Sequence, residues 1–89
     1  MTSGSGADTD ALIDGLIEGL GPEEAALALA TLVHRGVTRL HMLSRAQAAA
    51  SKEQPQWPAW AQLQNATRAL VLQASTCRDL AAKLAGRRG

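Results

Sequence analysis

The sequence contains no phenylalanine and no tyrosine, and its only aromatic residues are Trp57 and Trp60. A core without aromatics must be aliphatic, and here 18 alanines outnumber 13 leucines. At about 25 cal/mol per Å² of apolar surface, an alanine in place of a leucine forgoes most of the roughly 1.5–3 kcal/mol that a buried leucine contributes. The expectation is a marginal monomer that gains from a partner. A single cysteine, Cys77, excludes an internal disulfide. No apolar run approaches the length of about 18 residues that a membrane helix needs, which excludes a membrane span. The first 20 residues carry Asp8, Asp10, Asp14 and Glu18 and no Lys or Arg. That is the reverse of a secretory leader, and the expected location is cytoplasmic. Proline occurs only at 22, 55 and 58, so two long stretches run without a helix breaker.

Charge is balanced in total, at +1, but not in place. All acids but Glu53 and Asp79 fall within residues 1–24, and all nine basic residues fall within 25–89. The chain reads as an acidic arm on a basic body. Seven arginines against two lysines, with abundant alanine, suggest a GC-rich bacterial source.

The two long stretches share one pattern. Ala26, Leu29, Val33, Gly36, Leu40, Leu43, Gln47 and Ala50 recur at alternating steps of three and four, and so do Trp60, Leu63, Thr67, Leu70, Ala74, Cys77, Ala81 and Leu84. Such spacing is the a/d seam of a coiled coil. Between them lies Gln54-Pro55-Gln56-Trp57-Pro58, where Gln54 and Trp57, each preceding a proline, are disfavoured as helix. A fold-back centred on residue 55 pairs residues whose numbers sum to about 110, so that Gly36 faces Ala74 and Val33 faces Cys77. The predicted fold is all-α: a long antiparallel, coiled-coil-like hairpin, with a short N-terminal helix packed at its open end and a bundle completed by dimerisation. The helices are expected at about 9–20, 22–53 and 58–85, in one domain spanning 8–86. Residues 1–7 read as a flexible tail and 87–89 as a basic one. Asp8 or Thr9 offers an N-cap for the first helix, and Gly21-Pro22-Glu23-Glu24 separates it from the second.

Candidate sites are few. His34 and His41 stand two helical turns apart, about 10 Å, too far to share an ion, and read as solvent-facing. On the seam, Cys77 reads as a buried small hydrophobe. Gln47, a polar seam residue, is expected to fix helix register. No nucleophile with a base, acid/base pair, metal set or cofactor motif is assembled, so no enzyme, cofactor or small-molecule ligand is expected.

The leading expectation is a non-catalytic protein–protein interaction or oligomerisation module, a small bacterial regulatory partner that pairs with itself as a homodimer or with another protein. Its candidate interface is Val37, Met42, Val71, Leu72 and Trp57. Trp57 has two roles open to it, capping the bundle end over Trp60 or anchoring a partner. The alternative is a nucleic-acid-binding protein using Arg35, Arg39, Arg45, Arg68 and Arg78, with the acidic arm as competitor for that surface. In the sequence these arginines spread round the hairpin, and no aromatic residue is interleaved with them to stack on bases.

Overall fold

A computed structural model of the chain describes residues 4–86. These residues form three helices and no strand: α1 (Gly4–Gly19), α2 (Pro22–Ala50) and α3 (Trp57–Gly86). α2 and α3 form the antiparallel hairpin, and α1 packs against α2 alone. The basic tail at 87–89 and the start of the N-terminal tail lie outside the described residues.

Each junction has a local cause. Gly21 is extended (φ −68°, ψ 166°) and is the N-cap of α2, its carbonyl accepting from the Ala25 N–H at 2.8 Å. Pro22 follows at the first helical position, where a missing N–H costs nothing. Glu23 and Glu24 lie in the first turn, near the positive end of the helix dipole. α2 stops at Ala50, three residues earlier than expected, because Ser51 closes it. The Ser51 N–H and hydroxyl both donate to the Gln47 carbonyl, at 2.9 and 2.7 Å. Turns at Ser51–Gln54 and Gln54–Trp57 then reverse the chain. Trp57, expected to be outside the helix, begins α3, and Pro58 sits in its first turn, where N–H groups have no intrahelical acceptor in any case. α1 likewise begins earlier than expected, at Gly4, so Asp8 and Thr9 lie inside the helix and not at its cap.

The hairpin is closed by small residues. The buried positions are Ala25, Ser44, Ala48 and Ser51 along α2 and its end, and Thr67, Ala74 and Ala81 along α3. His41 Nδ1 meets Thr67 Oγ1 at 2.9 Å, which fixes the register at numbers summing to 108. Extended along both helices, that register sets His34 opposite Ala74, Ser44 opposite Gln64, and Ala48 opposite Trp60. The seam of α2 is therefore Leu27, Ala30, His34, Val37, His41, Ser44, Ala48 and Ser51, all buried or half-buried. This stripe is one residue on from the expected one, a rotation of about 100°.

The correction has a physical reason. Alanine, serine and threonine let two backbones approach closely, and the hydroxyls carry no desolvation cost because each finds a carbonyl on its own helix. Ser44 donates to His41 O at 2.9 Å, and Thr67 to Leu63 O at 2.9 Å and Gln64 O at 3.1 Å. Among the described residues no buried side-chain nitrogen or oxygen lacks a partner. Consequently Gly36 does not face Ala74: a Cβ built on it meets nothing within 4 Å. His34 and His41 are half-buried and not solvent-facing, Cys77 is exposed and not buried, and the Gln47 side chain is exposed. The cross-helix polar contact that the structure does contain is the His41–Thr67 pair.

Candidate interaction faces

In an antiparallel pair, residues one before the seam in each helix lean to one side of the hairpin, and residues one after it lean to the other. Here the two sides differ sharply.

The stripe before the seam in α2 is Ala26, Leu29, Val33, Gly36, Leu40, Leu43, Gln47 and Ala50, and its α3 counterparts include Leu63, Leu70, Cys77, Leu80 and Leu84. None of these is charged. Val33, Leu43, Leu70 and Leu84 are each about half exposed, at 54, 51, 45 and 47 %. Near the open end α1 leans on this side, and Leu12, Ile13 and Leu16 enclose an apolar cleft with Leu29, Leu32 and Val33. Leu12 nevertheless remains 74 % exposed. Near the tip, Trp60 and Leu63 line a second apolar hollow with Gln56 and Ala59.

The stripe after the seam carries Arg35, Arg45 and Lys52 on α2 and Arg68 and one acid, Asp79, on α3. Two open grooves lie along it. One is lined by His34, Arg35, Thr38, Arg39, Met42 and Arg78. The other, at the tip, is lined by Arg45, Ala48, Ala49, Lys52, Trp57, Ala61 and Gln64. Neither lining contains a carboxylate.

The expected interface residues thus separate. Val37 and Val71 are half-buried at seam positions, Met42 and Leu72 are exposed on the basic side, and Trp57 lies in the tip groove, 39 % exposed. Trp57 and Trp60 line different grooves. Of the five candidate arginines, Arg35, Arg39 and Arg78 converge on one groove, Arg45 lines the next, and Arg68 points to the same side between them. An aromatic ring therefore does stand among the basic residues. It was hidden in the sequence because Trp57 is separated from Arg45 by the turn and meets it only when the chain folds back.

No protein-family model, curated protein or solved structure matches the chain. Among the described residues no helix is long and apolar enough to cross a membrane, and no group of three or more His, Cys, Asp or Glu is placed to hold a metal ion.

Proposed function

We propose that the chain is a non-catalytic helical interaction module of the bacterial cytoplasm, and that its uncharged leucine face takes a second copy of itself. The observation that carries this reading is an uncharged face left open: Val33, Leu43, Leu70 and Leu84 on it are each about half exposed. Stable domains place two layers around one core.

The exposed area agrees in size. A compact monomer of 9.3 kDa exposes about 5,000 Å², whereas this chain exposes 6555 Å². A standard interface covers about 800 Å² per partner. α1 occupies the open-end part of the leucine face at Leu29, Leu32 and Val33, so the area offered combines the rest of the stripe, with Leu40, Leu43 and Leu70, and the exposed Leu12 of α1. A second copy suits the face because an uncharged, heptad-spaced stripe is self-complementary under a two-fold axis. Cytoplasmic and bacterial settings rest on composition, namely one cysteine and the Arg- and Ala-rich usage.

Sedimentation at tens of micromolar tests the proposal. The expected species has twice the 9.3 kDa chain mass, and Leu40→Lys combined with Leu70→Lys returns it to one chain. A wild-type protein that sediments cleanly as a single chain overturns it.

A further inference from the structure

We infer that the basic face is a binding site for single-stranded nucleic acid, with Trp57 as the platform on which a base stacks. The tip groove has a volume of about 300 Å³ and combines three chemistries in one place. Ala48, Ala49 and Ala61 line it with small side chains, and Trp57, 39 % exposed, is the one aromatic residue in the lining. Arg45 and Lys52 supply charge for phosphates, and Gln64 supplies an amide that both donates and accepts. A ring beside cations is the arrangement that sequence-tolerant single-strand binders use, because every base has a face to stack and every linkage a phosphate.

The second groove extends the track. Arg35, Arg39 and Arg78 converge on it, and it lies about 15 Å from the first along α2. From Arg35 to Lys52 the track runs about 25 Å, on the order of the smaller footprints of single-strand binders. Asp79 stands on the same face and Glu53 follows Lys52 in sequence, and neither lines a groove. The acidic helix α1 contributes no residue to either groove, since it docks on Leu29, Leu32 and Val33. Duplex DNA has charge for the arginines but no free base face for Trp57, so the ring favours the single strand.

Fluorescence polarisation of a short mixed-sequence oligonucleotide with the full-length chain tests this, alongside a duplex of equal length and inorganic polyphosphate. Five phosphate contacts predict a log–log salt slope of about −3.5, a loss of roughly a hundredfold in affinity between about 50 and about 200 mM salt. Trp57→Ala should weaken single-strand binding by roughly fivefold to a hundredfold and leave polyphosphate binding unchanged, while Trp60→Phe alters neither. Lys52→Ala should lower the slope by about 0.7. It serves as a second probe should Trp57→Ala lose helicity by circular dichroism. Equal affinity for duplex and single strand, or full affinity in a well-folded Trp57→Ala, reduces the face to unspecific charge and overturns the inference. So does an absence of binding at low salt.

Discussion

Leu70 and Ala74 are one turn apart on α3, yet the larger side chain is 45 % exposed and the smaller is buried, at 5 %. Phase decides this, since Ala74 lies on the seam and Leu70 on the stripe beside it, and the close approach at the seam gives alanine full contact and leaves no volume for leucine. Ala74→Leu should therefore destabilise the hairpin by about 1–3 kcal/mol, although leucine at a heptad position ordinarily stabilises. At Gly36 the opposite holds. With open space around its Cβ position, Gly36→Ala should stabilise by about 0.5–1 kcal/mol through helix propensity alone. Thermal melts of the two variants under one buffer check both signs. An Ala74→Leu protein that melts higher than wild type would disprove the close seam.

At the scale of elements, the hairpin and the attached helix differ in what holds them. α2 and α3 share a full-length seam, whereas α1, of 16 residues, touches α2 alone and leaves Leu12 and Ile17 well exposed. An isolated helix of this length is marginal in water. Amides of α1 should exchange with solvent fastest of the three helices, and deletion of residues 1–20 should leave the hairpin helical by circular dichroism. Protection in α1 equal to that in α2 would contradict this. The hairpin itself was legible in the sequence, because Pro55 and Pro58 mark the turn and both flanking stretches keep a three-four rhythm. The phase was not. Two neighbouring stripes obey the same rhythm, and the one with leucines carries the stronger hydrophobic signal. The α2 stripe that packs holds Ser44, Ser51 and two histidines, polar residues that read as solvent-facing in the sequence. The tip groove was illegible for a related reason, since Trp57 and Arg45 meet only through the fold. Once the phase is set, however, the uncharged stripe expected to close the hairpin becomes the face available to a partner.

The whole molecule is a slab with unlike faces. Its radius of gyration is 16.4 Å, against about 12 Å for a globular chain of this length. Stacking two slabs through their leucine faces would bury the uncharged stripes and turn both arginine tracks outward, about two helix layers apart and so beyond a Debye length of about 8–10 Å at moderate salt. Association of this kind has no ionic component to screen. Its dissociation constant should stay constant, within about threefold, from about 50 to about 500 mM NaCl, while nucleic-acid affinity falls steeply over the same range. A second dimer is conceivable from the charge map, with the acidic α1 of one copy laid on the basic track of the other, and it makes the contrary prediction. Sedimentation equilibrium across a salt series separates the two. A dimer that persists at about 500 mM NaCl and is lost with Leu40→Lys and Leu70→Lys places the contact on the leucine face, because an ionic contact is screened at that salt and is indifferent to those leucines. A dimer that dissolves as salt rises, with the leucine variants unaffected, assigns it to α1 and the arginines and leaves the leucine stripe without its second layer.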